Sequence, residues 1–142
     1  MAVFNRFNNF NLDLAHKVHN LGSDALKVYL SNSTPNIALH TVKADLSEIA
    51  AGNGYTAGGA SATVLSSSQT NGVYRLILND PLTWVATGSG FGPFRWAVLY
   101  NSTATNNPLI GYWEYPITIS NVNASETFKL DLDQTTGVII IQ

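Results

Sequence analysis

The sequence predicts an all-β protein: a single β-sandwich, jelly-roll-like or immunoglobulin-like, with an N-terminal helix or extended arm. Two strand-like runs, FRWAVLY (94–100) and LIGYWEY (109–115), flank a polar insert rich in turn-forming residues. About eight short strand-like segments follow one another at intervals of about ten residues, each bounded by turn signals. We therefore expect one domain, with an N-terminal segment at 1–22 and the sandwich at 23–142.

The runs at 94–100 and 109–115 are the predicted central hairpin of the core. The first run is apolar on both faces apart from Arg95, which is typical of a strand covered on both sides. The following segment, which begins at Pro116, is expected to continue or kink the second strand, because proline is tolerated only at an edge or a bulge. All three tryptophans lie in or next to this unit: Trp84, Trp96 and Trp113.

The N-terminal segment carries the one helical pattern. Apolar residues recur there at three- and four-residue steps, and Gly22 is placed as a helix stop: Phe4, Phe7, Leu14, Val18 and Leu21. The Asn-rich stretch 5–11 has poor helix propensity, so its first half is alternatively an extended arm. An arm carrying Phe4, Phe7 and Phe10 would suit docking onto a neighbouring subunit. An amphipathic helix lying on its own sandwich is the alternative.

The remaining strands are predicted from alternation and turn chemistry. Asn71-Gly72 is the clearest hairpin signal, because this pair favours the tight turn that joins two strands, here 62–68 and 73–78. The alternation at 126–133 predicts a half-buried strand. Further strands are predicted at 25–31, 82–87 and 138–141. A short helical turn is predicted at 45–51, with Asp45 as N-cap and Glu48 at the capping-box position.

Composition narrows the possible functions. Charged residues make up 11% of the chain, against roughly 25% in an average soluble protein, and the net charge is −2. The few basic residues are scattered, so there is no electrostatic footprint for nucleic acid. There is no cysteine, no stretch long enough for a membrane span and no secretion signal at the start. We expect a product made in the cytoplasm with a neutral, hydrogen-bonding surface suited to contact with other proteins.

Candidate metal and catalytic groups are few. Asp13, His16 and His19 are spaced to lie on one face of the predicted helix, but a solvated helix surface is the favoured interpretation over metal binding. Asp131 and Asp133 on one strand face could bind calcium, although an exposed charged strand explains them better. No serine occupies a nucleophile elbow. We predict no enzyme activity, no catalytic or metal-binding residues and no cofactor, and rank a small hydrolase last.

Aromatic residues offer one further possibility, a sugar-binding platform. Aromatics also dominate cores and protein interfaces, and this second interpretation is favoured. Tyr112 and Glu114 lie on the strand face opposite Trp113 and are expected to be exposed, while Trp96 is assigned to the core. The platform residues would be Tyr55, Trp84, Tyr112, Trp113 and Tyr115.

The chain resembles a group of small virion proteins of tailed bacteriophages. The resemblance lies in LGSDALKVYLSNSTP (21–35), EIAAGNGYTAGG (48–59) and GPFRWAVLYNSTATNNPLIGYWEY (92–115), which are structural signatures without catalytic residues. It implies a capsid decoration (cement) protein, often a homotrimer, that binds the major capsid protein on the outer head surface between capsomers and stabilises the shell. A tail-fibre or tail component, with a carbohydrate-binding host-recognition role, is the alternative. Neither nucleic acid nor membrane is an expected partner.

On this interpretation, residues 1–21 are the docking segment. The predicted capsid- or subunit-binding residues are Phe4, Phe7, Phe10, Leu14, Tyr112 and Glu114.

Overall fold

The computed structural model describes residues 2–142, which form ten strands, one short α-helix and one 3₁₀ turn. This is the predicted all-β, sandwich-like fold. In chain order the elements are β1 (Val3–Arg6), α1 (Asn9–Ala15), β2 (Leu26–Ser31), the 3₁₀ turn (Lys43–Asp45), β3 (Ala60–Ala62), β4 (Val64–Thr70), β5 (Val73–Leu78), β6 (Leu82–Val85), β7 (Phe94–Asn101), β8 (Leu109–Ile119), β9 (Thr127–Leu130) and β10 (Ile139–Ile141).

Three antiparallel sheets surround the main core. The largest has the strand order β1-β8-β7-β2-β3, and the other two are β10-β5-β4 and the pair β6-β9. Side chains from all three sheets and from α1 meet in one apolar cluster, which includes Phe10, Leu76, Trp84, Leu99 and Leu130. The core therefore lies between the five-stranded sheet and the two smaller sheets, as in a sandwich.

Strand β7 is the central strand of the large sheet and is covered on both faces, as predicted. Because successive side chains point to opposite faces, Ala97 and Leu99 enter the main cluster while Trp96, Val98 and Tyr100 point to the other side. There they form a second buried cluster, which is covered by the segment between β2 and β3; its members are Phe7, Tyr29, Leu46, Trp96, Val98, Tyr100 and Leu109.

The two predicted hairpins are confirmed. β7 pairs with β8, and β4 pairs with β5 through Asn71 and Gly72, whose φ angles of 52° and 81° are those of a tight turn with two left-handed residues. Strand β8 continues through Pro116. Register pairs Phe94 with Ile119 and Trp96 with Glu114, so the proline lies in a bulge, where its missing N–H is tolerated.

The N-terminal segment combines an extended first part with a short helix. Val3–Arg6 is a strand of the main sheet, paired with β8, and the helix covers only Asn9–Ala15. Gly111 of β8 lets β1 approach closely, because a Cβ there would lie 2.3 Å from the Phe4 ring and 2.6 Å from the Asn5 carbonyl oxygen. This segment therefore packs as part of the sandwich, because β1 extends the main sheet and Phe10 of α1 enters the main cluster.

The helical turn predicted at 45–51 is also corrected. The 3₁₀ turn ends at Asp45, whose carboxylate accepts hydrogen bonds from the backbone N–H groups of Thr41 (2.8 Å) and Val42 (3.0 Å). These bonds lower the pKa of Asp45 below its usual value. Asp45 thus caps the turn from its third residue, and Glu48 lies beyond it.

Candidate interaction surface

The structure brings together four of the six predicted binding residues at the corner between β1 and β8. The Phe4 ring lies 4.7 Å from the Trp113 ring, and the Phe7 ring lies 5.4 Å from that of Tyr112. Val3 is directly opposite Glu114 in the strand register. Phe10 and Leu14 lie further along, on the helix.

Burial corrects the role predicted for the phenylalanines. Phe7 and Phe10 are 1% and 0% exposed, because they fill the chain's own clusters, and they are not available to a partner. Phe4 and Leu14 are half-buried against the main cluster. Of the predicted residues, Glu114 is exposed and Tyr112 is half-exposed. A docking surface at this corner therefore depends on β8 and on the outward side of β1.

The predicted aromatic platform does not form. Tyr55, Trp84 and Trp113 are all buried in the main cluster. Tyr115 packs edge-on against Phe128 and keeps only part of its ring at the surface. The aromatic residues are mainly core residues, as the favoured interpretation had it.

An open groove of about 660 Å³ is formed between the start of edge strand β1 and parts of β7, β8 and β9, and we call it the β1-edge groove. Its walls come from the start of β1, the bulged part of β8, Arg95 of β7 and the strand β9 with the residue after it. The lining residues are Ala2, Val3, Asn5, Arg95, Glu114, Tyr115, Pro116, Lys129 and Asp131. Its volume is in the range of small-ligand or peptide sites.

Charges of both signs meet in the β1-edge groove. Arg95 forms an ion pair with Glu114 (2.9 Å) and donates from Nε to the Tyr115 carbonyl oxygen (3.1 Å). Lys129 and Asp131 stand on the other wall. Burial, and then the Asp131 charge, raise the pKa of Tyr115 to about 12, so its hydroxyl remains a donor at neutral pH. The groove offers hydrogen bonds and balanced charge instead of a single sign.

Strand β1 is also a free sheet edge within residues 2–142. The Phe7 N–H donates to the Ile110 carbonyl oxygen across the ladder (3.1 Å), so in the antiparallel pattern the odd-numbered residues bond to β8. The backbone groups of Phe4 and Arg6 therefore point away from the sheet, where another chain can pair with them. Two apolar residues at or next to the groove are each 72% exposed: Val3, which lines it, and Ile117, which follows the lining residue Pro116 in β8.

The two clusters considered as possible metal sites, although neither was favoured, are not assembled. Helix α1 ends at Ala15, so Asp13, His16 and His19 do not share a helix face, and His16 is exposed while His19 is buried. Strand β9 ends at Leu130, before the two aspartates. Asp133 instead accepts hydrogen bonds from the backbone N–H groups of the turn that follows it. In residues 2–142 there is no cluster of three or more His, Cys, Asp or Glu side chains arranged to hold a metal ion.

Sequence reasoning missed one polar network, centred on Glu48. Its carboxylate accepts hydrogen bonds from the Tyr55 hydroxyl (2.7 Å) and the Gly58 N–H (2.6 Å), and pairs with the Lys43 ammonium group (2.6 Å). The Lys43 ammonium group in turn lies 4.8 Å from the centre of the Tyr29 ring. The network fastens the segment between β2 and β3 over the second cluster, so its role is structural.

The fold defines the chain as an all-β, sandwich-like protein, and β1 is one of its edge strands. Among residues 2–142, no helix has the length and apolar character needed to cross a membrane. No family model, curated protein or solved structure matches the chain.

Proposed function

We propose that this chain is a bacteriophage virion structural protein, most specifically a capsid decoration (cement) protein that binds the major capsid protein on the outer head surface. On this proposal it is a homotrimer, is made in the host cytoplasm and acts by adhesion instead of catalysis. The sequence resemblance supports the class of protein. The observation that carries the mode of action is the β1-edge groove, with its free strand edge and exposed Val3 and Ile117.

The groove suits adhesion for physical reasons. A free strand edge gives a partner backbone hydrogen bonds, and the flanking apolar residues give a partner surface to bury. Paired charges add specificity more than affinity, because exposed ion pairs contribute only about 0–1 kcal/mol. One such contact is weak, but many copies on a shell, each engaged at several points, hold far more strongly.

The test uses exposed residues, because deleting the N-terminal segment would remove Phe7 and Phe10 from the core. Val3→Asp and Ile117→Asp should each abolish binding to decoration-free heads in co-sedimentation, while leaving the unfolding transition unchanged. Leu65→Asp is the matched control, since Leu65 is 59% exposed on β4, in a different sheet. Full binding by both groove variants, or loss of binding by the control alone, would count against the groove as the attachment surface.

A host-recognition role on a tail fibre is the second candidate. The Tyr115 hydroxyl, the carboxylates and Arg95 lie in one groove, and such a mixture of donors and acceptors also suits a sugar. A glycan array separates the candidates: a specific glycan signal lost in Asp131→Asn would favour host recognition. Binding to heads with no glycan signal would favour decoration.

A further inference from the structure

Asn101 connects the N-terminal segment to the turn between β7 and β8. Its side chain is buried, and its Oδ1 accepts hydrogen bonds from the backbone N–H groups of Thr103 (2.9 Å) and Ala104 (3.1 Å). These two bonds fix the orientation of the amide. Its Nδ2 must therefore be the donor toward Asp24 Oδ2 (2.6 Å) and His19 Nδ1 (3.1 Å).

This arrangement determines where the proton of His19 lies. Because Asn101 Nδ2 can only donate, His19 Nδ1 must accept, and the neutral ring carries its proton on Nε2. The Nε2 atom lies 4.0 Å from Asp13 Oδ2 and has no hydrogen-bond partner among residues 2–142. The imidazole side chain is fully buried, with its centre 5.3 Å from that of the Phe10 ring.

The surroundings disfavour a charged imidazole. Burial lowers the pKa of His19 below its usual value, and the nearby carboxylates of Asp13 and Asp24 oppose this effect only in part. Beside the ring lies a cavity of about 570 Å³, which is also lined by Lys17 and Tyr74. Asp13 and Lys17 come from the end of α1 and the residues after it, Asp24 comes from the segment before β2, and Tyr74 comes from β5. With Asn101 of β7 they complete the polar surroundings of the ring.

We propose that His19, Asn101 and Asp24 form a proton-sensitive clasp, which holds the N-terminal segment to the β7–β8 turn at neutral pH and releases it on acidification. A proton taken from solvent can bind only at Nδ1, where it replaces the acceptor that Asn101 needs. Two N–H donors then face each other. Asn101 cannot rotate to present its oxygen without losing its bonds to Thr103 and Ala104.

The sign of the pH effect follows from the lowered pKa. The unfolded chain binds a proton at His19 more readily than the folded chain does. The stabilisation that neutral His19 gives to the folded chain is therefore complete above the usual histidine pKa. This stabilisation is lost as the pH falls through the lowered pKa of His19 in the folded chain. None of the three clasp residues lines the β1-edge groove, so the clasp and the attachment proposed above are tested by different variants.

Nuclear magnetic resonance of the full chain tests the clasp between about pH 7.5 and about pH 5, the range in which histidines titrate. Nitrogen shifts should show the Nε2–H tautomer of His19 at the higher pH. The titration midpoint of His19 should lie below the usual histidine value of 6.5. Hydrogen exchange, corrected for the intrinsic rate, should show a loss of protection at residues 9–24 and 101–104 as His19 gains its proton.

Two variants make the test specific. His19→Gln cannot gain a proton and should abolish the pH-dependent loss of protection, whereas His16→Gln should retain it. The Nδ1–H tautomer, a His19 midpoint at or above 6.5, or an equal pH response in His19→Gln would each overturn the proposal. If His19→Gln does not fold, the tautomer and the midpoint in the unaltered protein decide.

Discussion

Phe10→Ala measures how far the N-terminal segment contributes to the stability of the sandwich. Phe10 is 0% exposed and belongs to the main cluster, where its ring lies against His19. Truncating a buried phenylalanine to alanine costs about 3–5 kcal/mol in lost transfer energy and in the cavity left behind. For a chain of this size we expect the melting temperature to fall by about 10–17 °C.

The assay is equilibrium denaturation followed by far-ultraviolet circular dichroism, with Leu12→Ala as the control. Leu12 is in the same helix but is 51% exposed, so its truncation should change the free energy of unfolding by about 0.5 kcal/mol or less. Equal, small effects of the two substitutions would refute the reasoning. That result would mean that residues 1–22 form a separate arm in solution.

Three further predictions concern other parts of the fold. Glu48→Gln should lower the free energy of unfolding by about 1–3 kcal/mol in a denaturant titration, because Tyr55, Gly58 and Lys43 lose a charged acceptor. An unchanged denaturation midpoint would contradict the structural role of Glu48. Gly111→Ala should lower the free energy of unfolding by about 1–3 kcal/mol in the same assay, because the added methyl group collides with β1. Gly22→Ala is the control and should have no such effect, because there is space for a methyl group at that position. Equal losses of stability in the two variants would contradict the close approach of β1 to Gly111. Tyr115 should ionise near pH 12 by ultraviolet absorbance. Because the pKa of Tyr115 is raised above the usual value of 10.0, the free energy of unfolding should fall as the pH rises from about 10 to about 12. Tyr115→Phe should reduce that fall. Ionisation of Tyr115 near the usual value would contradict the burial of its ring.

Local patterns predicted most strands because their signals are contained in short stretches of sequence. Asn71-Gly72 determines a turn by the conformations these two residues accept, and the structure has that turn. The apolar run of β7 predicted a strand covered on both faces for the same kind of reason. Pro116 likewise predicted an edge or a bulge, because proline has no N–H to donate, and the structure has a bulge at this point of β8.

The errors occurred where tertiary contacts outweigh local preference. The spacing of Phe4 and Phe7 fits a helix, yet pairing with β8 draws the first of them into a strand. The poor helix propensity of the Asn-rich stretch 5–11 indicated an extended start, and the chain is a strand up to Arg6 before α1 begins at Asn9. β3 is three residues long and gives too short a pattern to recognise.

The candidate site was predictable only in part, for a similar reason. Tyr112 and Glu114 were selected from strand alternation, and both do reach the surface. The partners that make a groove of this surface, Val3, Lys129 and Asp131, come from strands far apart in the chain. No spacing rule connects them, because strands so far apart in sequence are brought together only by the packing of the sheets.

The sequence by itself determined the all-β class, the two hairpins and the shortage of charge, because strand alternation, turn chemistry and composition are local properties. Tertiary structure alone decided that Phe7 and Phe10 are core residues, that β1 is an open edge and that His19 meets Asn101. Each of these depends on which distant strand or loop lies next to a given residue. The burial of apolar surface over the whole chain selects that arrangement.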